Sequence, residues 1–290
     1  MNINFHPTVT VLVPVYNVES FLPQAIECIL SQTFIDFELI LINDGSTDGS
    51  GTIIEHYKEK DDRIVAIHKS NEGVARTLNL GLGLARGEWI RRFDSDDTCL
   101  PGALEGQFRF LQDHPEVAMV STQQAFQTEQ GRIAWQHRMP PDRYFTGQPF
   151  RWLQPEDFYD FSPVVHGTAL FRKSLVQDLG GYRTGFLTSE DNDLWLRICE
   201  RHPVAVLNDC SYFLRLHDTS ATRRHAASLR FYRELTLRFY EERKATGTDP
   251  LQRGEPMPAP GLSEPTAIPA DPHNAPGTVY RDDLDFIYRL

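Results

Sequence analysis

From residue 9 to residue 97 the chain alternates short β-branched apolar runs with stretches of helical periodicity, and few folds satisfy that alternation. Val9-Thr10-Val11-Leu12-Val13 ends at Pro14 and reads as a buried strand leaving a sheet. Leu22, Ala25, Ile26, Ile29 and Leu30 then fall at helical spacing behind the capping candidate Ser20. Phe37–Ile42 is a second strand, broken at Asn43-Asp44-Gly45-Ser46, where Ser46, Thr47 or Asp48 can cap a helix carrying Ile53, Ile54 and Tyr57. Ile64–Ile67, a helix over Gly73–Ala85 and a strand over Trp89–Phe93 complete the pattern. Such βαβ units are right-handed and build a parallel sheet, whose ligands bind at the carboxyl ends of the strands. Pro14, Tyr16, Asp44 and the run Asp94-Ser95-Asp96-Asp97 all fall at those ends.

Three carboxylates within four residues repel one another unless a cation or a set of donors compensates them. Residues i and i+2 of a strand share a face, so Asp94 and Asp96 can point into one crevice. Mg²⁺ and Mn²⁺ take carboxylate oxygens together with substrate phosphates, which makes the run a candidate metal–phosphate site. The competing reading is an acidic turn at the surface. Convergence with Asp44 on one sheet edge argues against it.

Further along, Pro101 suits the first turn of a helix carrying Leu104, Phe108 and Leu111, and Val117–Ser121 reads as a fifth strand. Between Phe126 and Phe161 the pattern loosens into aromatic and proline-rich loops of the kind that build a substrate pocket. A short strand at Ala169–Phe171 and a helix over Leu175–Leu179, ended by Gly180-Gly181, follow. Asp191 opens a helix with Leu194, Trp195 and Ile198 on its apolar face, ahead of strands at Val204–Leu207 and Tyr212–Leu216. The last helix, residues 223–244, sets Arg223, Arg224, Arg230 and Arg233 against Phe231, Tyr232, Phe239 and Tyr240. Core packing of its aromatic stripe is favoured over contact with a membrane surface or a partner. Residues 247–277 hold eight prolines without apolar periodicity and read as a linker, with 282–290 a short terminal element.

A net charge of −11 argues against a general nucleic-acid binder. Cys28, Cys99, Cys199 and Cys210 lack CxxC spacing, so neither a zinc site nor a disulfide framework is expected. No apolar run reaches the ~20 residues that cross a bilayer, and a cytoplasmic protein is expected, with peripheral contact at the inner membrane face through the basic 223–244 helix. Gly81-Leu82-Gly83-Leu84-Ala85-Arg86-Gly87 imitates a dinucleotide fingerprint, but it ends a helix instead of following a strand, and is set aside.

Taken together, Val11–Asn17, Asn43–Asp48, Asn71-Glu72-Gly73 through Arg76 to Asn79, Ala85–Glu88 leading to Asp94–Asp97, Glu190–Trp195 and Leu214–His217 stand in the order and spacing of a known family. Over residues 7–222 the chain resembles the family 2 glycosyltransferases, and Arg92-Phe93-Asp94, His114-Pro115 and Pro163–His166 resemble its bacterial surface-polysaccharide members. Gln148-Pro149-Phe150-Arg151-Trp152 spells a string of the processive polysaccharide synthases, but it precedes Glu190-Asp191 where theirs follows the acidic pair. The resemblance implies an α/β GT-A fold, a Rossmann-like mostly parallel sheet flanked by helices. It places a nucleotide-sugar part at about 7–122, an acceptor part at 123–246 and a Pro-rich tail at 247–290.

It also implies roles. Pro14, Tyr16 and Asn17 would wall the nucleotide base, Asp44 would accept from uracil N3–H, and Arg76 would meet the base or diphosphate. Asp94, with Ser95, would hold the ribose. Asp96 would bind a divalent cation, Mn²⁺ or Mg²⁺, with His217 and Asp97 as further ligands. Asp191, beside Glu190, would be the general base on the acceptor hydroxyl, with inversion at the anomeric carbon; His166 is a pocket residue. The expected partners are a nucleotide-sugar donor, in the first place a UDP-sugar, and a glycan, lipid-linked or protein acceptor. A sugar nucleotidyltransferase, a non-catalytic sugar-nucleotide-binding module and an interaction protein using the tail are the alternatives.

Overall fold

The computed structural model describes residues 6–139, 144–159, 161–220 and 226–260. Its amino-terminal half realises the alternation in the sequence: β1 (Val9–Val15), α1 (Leu22–Leu30), β2 (Phe37–Asp44), α2 (Ser50–Lys58), β3 (Ile64–Lys69), α3 (Val74–Leu84) and β4 (Trp89–Arg92). β1 runs parallel to β2 and β4, and β2 parallel to β3. Alternate side chains separate onto two faces, as the strand pleat requires. Val11, Val13, Leu39 and Leu41 pack with Leu22, Ile26 and Ile29 of α1. Leu12, Ile40 and Ile42 pack with Leu78 and Leu82 of α3. Gly81 sits at that second contact, where an added Cβ would stand 2.2 Å from the Leu12 side chain. This glycine serves helix-to-sheet packing.

The second half extends the same sheet with β5 (Thr98–Cys99), α4 (Ala103–Asp113), β6 (Met119–Thr128), β7 (Ile133–Met139), β8 (Phe150–Trp152), β9 (Leu170–Arg172), α5 (Lys173–Asp178), α6 (Glu190–Cys199), β10 (Val204–Leu216) and α7 (Ala226–Thr246). The strand order is β3-β2-β1-β4-β9-β6-β10-β5, with β7 on β6 and β8 on β10. β9 lies antiparallel between β4 and β6, so the parallel set gives way to a mixed sheet where the amino-terminal half meets the second half. The segment 126–161, expected as loops, contributes the end of β6 and both β7 and β8. The two strands expected at 204–207 and 212–216 are one, with an irregular register between Leu207 and Tyr212.

Tyr232, Leu235 and Phe239 of α7 are buried against Phe186, and Tyr240 donates to Glu156 (2.9 Å). The aromatic stripe is therefore core. Arg230 is spent on Glu234 (2.7 Å), and Arg223 and Arg224 lie outside the described residues. Packing continues past the boundary expected at residue 246. Asp249 is fully buried between Arg183 (2.7 Å) and Arg243 (2.6 Å), and Leu251 and Met257 join the α7 cluster. Arg183 also meets Asp193 of α6 (2.9 Å), which binds Arg197 (2.8 Å), so the acidic start of α6 is anchored through a buried ion network. The remainder of the tail, 261–290, lies outside the described residues. Among the described residues no helix is long and apolar enough to cross a membrane.

Candidate active site

Three groups of polar side chains meet at the carboxyl edge of the parallel strands. The first surrounds Asp44, at the end of β2. Its carboxylate accepts from Lys69 Nζ (2.5 Å) and the backbone N–H groups of Glu72 and Gly73 (3.0 Å each). Burial alone would raise its pKa, but Lys69 and the backbone donors outweigh burial and hold it below the usual carboxylate range. Pro14 and Tyr16, half-buried, leave β1 beside it. Asn17, at φ 52°, donates its backbone N–H to Ser46 (3.0 Å) and accepts from Thr47 N (2.8 Å), which pins the exit of β1 to the loop after Asp44. Arg76 is exposed on the first turn of α3.

The second group is the acidic run after β4. Asp94 and Asp96 remain partly open, whereas Ser95 and Asp97 are buried. The Tyr212 hydroxyl lies 3.0 Å from Asp94 Oδ2 and 2.5 Å from Asp97 Oδ2, and Arg215 N–H donates to Asp97 Oδ1 (2.7 Å). Both Asp97 oxygens are thus engaged inside the protein, away from the crevice. Burial, then the charges of Asp96 and Asp94, push its carboxyl well above the usual range. Asp96 faces His217, with Oδ2 and Nε2 2.9 Å apart; His217 Nδ1 is 2.9 Å from Thr219 Oγ1, and its ring packs on Phe21 (4.6 Å). Arg215 Nε holds the Asp96 carbonyl (2.8 Å), fixing the turn.

The third group opens α6. Ser189, at φ 62°, turns the chain so that Glu190 and Asp191 start the helix. Asp191 Oδ1 accepts from Asn192 N–H (2.8 Å), and its Oδ2 lies 3.8 Å from His166 Nδ1. His166 Nε2 is 3.2 Å from the Tyr182 hydroxyl, and its ring packs on Trp195 (5.6 Å). Burial raises the Asp191 pKa despite the helix N-terminus; burial and the charge of Asp191 push Glu190 up to about 8. Burial and the nearby Arg92 hold His166 well below its ordinary value, so it is neutral.

Arg92 joins the second and third groups. Its buried guanidinium is ion-paired with Asp94, and its charge also acts on Glu190, Asp191 and His166. Nη1 makes that ion pair, and the buried Nε has no hydrogen-bond partner among the described residues. Asn79 supplies the framework: its amide donates to Tyr182 O (2.8 Å) and accepts from Tyr182 N–H (2.9 Å) across 103 residues. Lys69, Tyr182 and Tyr212 are site residues that sequence reasoning did not single out. Lys69 could have been found, since it ends β3 on the same edge as Asp44. Tyr212 carries no local signal, because its partners Asp94 and Asp97 are more than 100 residues away, and Tyr182 meets Asn79 across 103 residues.

Among the described residues no three His, Cys, Asp or Glu groups form a cage for a metal ion. The Asp96–His217 pair still fits a cation held jointly with a substrate, because Mg²⁺-type sites use one or two protein groups and complete the shell with phosphate oxygens and water.

A mostly parallel amino-terminal half joined to a mixed second half, with acids at the seam, is the architecture of a GT-A glycosyltransferase. Two structural comparisons support that fold. Over 82% of this chain and 72% of the other, the structure of Staphylococcus aureus TarS 1–349 in complex with UDP superposes at TM-score 0.59 with 20% identity. The mannosyltransferase PcManGT of Pyrobaculum calidifontis, solved with GDP-Man and Mn²⁺, superposes at 0.62 with 21% identity over 85% and 67%. The model of the family "Glycosyl transferase family 2" matches residues 10–180, and the chain belongs to that family. It is 37% identical over 201 residues to EpsE of Bacillus subtilis, covering 68% of each chain. It is 32% identical to the glycosyltransferase GlyG of Streptococcus pneumoniae over 49% of this chain and 45% of GlyG. The protein is a glycosyltransferase.

Proposed function

We propose that this glycosyltransferase moves a sugar from a UDP-sugar to an acceptor hydroxyl with inversion, in bacterial surface-polysaccharide or glycoconjugate assembly. The observation that carries the reading is the meeting of Asp44, the Asp96–His217 pair and the buried start of α6 at one edge of the sheet. The partly open carboxylates Asp94 and Asp96 receive the ribose and diphosphate. Asp44 retains acceptor capacity beyond its three donors, which suits a uracil N3–H. Arg76 reaches the base or diphosphate from α3, and Pro14, Tyr16 and Asn17 line the base. The UDP and GDP-Man complexes of TarS and PcManGT support a nucleotide-sugar donor. Asp96 and His217 would hold Mn²⁺ or Mg²⁺; when bound, the cation neutralises charge that grows on the departing diphosphate. Asp97, turned inward, shapes the turn.

Asp191 takes the proton from the acceptor hydroxyl as that oxygen attacks the anomeric carbon and the diphosphate leaves from the opposite face. Its raised pKa makes it a stronger base than an exposed aspartate. Glu190 keeps its proton near neutral pH, which leaves Asp191 as the charged member of the pair. The packed body takes in the start of the tail, through Met257; the rest of it is a linker, and the basic solvent-facing side of α7 offers the membrane-facing contact.

The test is a panel of UDP-, GDP- and dTDP-sugars with and without Mn²⁺, with the anomeric configuration of the product read by NMR. Asp191→Asn is expected to lower turnover by about 10²–10⁴-fold while UDP binding persists. A retained anomer, or near-wild-type turnover in Asp191→Asn, would overturn the assignment.

A further inference from the structure

Cys28 lies in the last turn of α1, and Cys99 ends β5, the two-residue strand that leaves the acidic run. Separated by 71 residues in sequence, their sulfur atoms are 3.6 Å apart, in van der Waals contact. Both are partly exposed free thiols, whereas Cys199 and Cys210 are buried. The pair is also held in register. Gln32 Nε2 approaches Cys99 Sγ (3.2 Å), the Cys28 carbonyl (3.0 Å) and the Leu100 carbonyl (2.9 Å), while its Oε1 accepts from Leu104 N–H (3.0 Å). One buried amide therefore ties the end of α1 to the chain on both sides of Cys99.

The elements that carry the two thiols also bracket the Asp96–His217 pair. Phe21, at the head of α1, packs on the His217 ring, and Gln24 accepts from Arg215 (2.7 Å), which holds the Asp96 carbonyl. β5 pairs with β10 at Tyr212 and Phe213, immediately after the acidic run.

We propose that Cys28 and Cys99 form a reversible dithiol–disulfide couple that clamps α1 to the strand leaving the acidic run. The oxidant is a small-molecule disulfide such as oxidised glutathione. One cysteine, as thiolate, attacks it; a protein–glutathione disulfide forms and one glutathione thiolate leaves. The second cysteine, as thiolate, attacks the protein sulfur of that mixed disulfide, forms the Cys28–Cys99 bond and expels the second glutathione thiolate. Two protein thiols are oxidised, one small disulfide is reduced to two thiols, and the protons lost by the cysteines end on the released glutathione. The sulfurs must close from 3.6 Å to about 2.05 Å, a shift within reach of side-chain rotation and a small movement of the short β5.

This chemistry is independent of the transfer reaction and is read directly. The full chain is equilibrated in glutathione redox buffers, trapped with N-ethylmaleimide, digested and mapped by mass spectrometry. The expected result is a Cys28–Cys99 linked peptide that disappears with dithiothreitol, while Cys199 and Cys210 are recovered alkylated after denaturation. The oxidised chain should melt above the reduced one, because the cross-link closes a long loop in the unfolded state. In Cys28→Ser no cross-link can form, and a stable glutathione adduct on Cys99 is expected in its place. Absence of the linked peptide in wild type, persistent glutathione adducts on both residues, or linkage to Cys199 or Cys210 would overturn the proposal. The wild-type peptide map decides even if the serine variant does not fold.

Discussion

Gly167→Ala tests whether the geometry around Asp94 is as tightly determined as its contacts imply. A Cβ at residue 167 would stand 1.9 Å from the Tyr212 hydroxyl oxygen, 2.3 Å from its Cζ and 2.6 Å from Asp94 Oδ2. Ordinary contact begins near 3.4 Å, so something must retreat by roughly 1.5 Å. Neither side has room. The Tyr212 ring is 1% exposed, packs edge-on against Phe93 (5.2 Å) and places its hydroxyl on Asp97. On the other side the Gly167 carbonyl accepts from Arg91 (2.6 Å), and Thr168 is held by Gln107 (2.7 Å) and Ser121 (2.7 Å).

Overpacking of this kind costs about 1–3 kcal/mol, or a fall in melting temperature of about 2–12 °C for a domain of this size. The larger effect falls on the site, since a shift of about 1 Å in a positioning group can cost about 10²-fold in rate. Thermal unfolding, UDP-sugar calorimetry and turnover are measured on Gly167→Ala, Tyr212→Phe and the double variant. The double variant should recover only part of the loss, because Cζ still lies 2.3 Å from the added carbon. Wild-type stability, donor affinity and turnover in Gly167→Ala would refute the claim that this glycine fixes Asp94.

Two further perturbations probe buried charge. Asp249→Asn weakens the carboxylate between Arg183 and Arg243 and should destabilise the protein by about 3–5 kcal/mol in urea unfolding; an unchanged midpoint would detach residues 247–257 from the packed body. Glu190, pushed up to about 8, keeps its proton in the folded state while the unfolded chain ionises near 4.5, so wild-type stability should fall as pH rises between those values. Glu190→Gln removes that dependence, and melting temperatures from pH 5 to 9 should be flatter; an equally steep variant would place the pH response elsewhere.

Much of the amino-terminal half was legible because local rules and the fold agree there. The apolar runs became β1 and β2, which continue past the expected stops at Pro14 and Asn43 to Val15 and Asp44, and the 3.6-residue stripe of α3 packs on the face that Leu12 and Ile42 present. The second half was less legible for physical reasons. β8 and β9 have three residues each, too few to show a period, and β9 takes its place in the sheet only by pairing with β4 and β6. Arg92 stands out in the sequence only as part of the Arg92-Phe93-Asp94 string; that it is buried, paired with Asp94 and close enough to act on Glu190 and Asp191 emerges only in the fold. The docking of Asp249 was hidden by a proline-rich composition, although a few buried contacts suffice to hold such a segment.

The parity of the acidic run explains why its three carboxylates do not do the same thing. Asp94 and Asp96, two residues apart, keep side chains partly open, whereas Asp97 turns inward onto Tyr212 and Arg215. Three exposed acids at this density would need outside cations to stay together. Burying Asp97 raises its pKa and so lowers the negative charge the turn must carry, while Arg92 compensates Asp94 from within. That leaves Asp96, facing His217, as the carboxylate with the least internal compensation. Asp97→Asn tests the division of labour: its one remaining oxygen accepts from Arg215 N–H while its NH₂ donates to the Tyr212 hydroxyl, whose own proton goes to Asp94, so Mn²⁺-dependent UDP binding should stay within about threefold of wild type, against a loss of well over tenfold in Asp96→Ala. Equal losses in the two variants would mean that Asp97 turns outward to serve the cation.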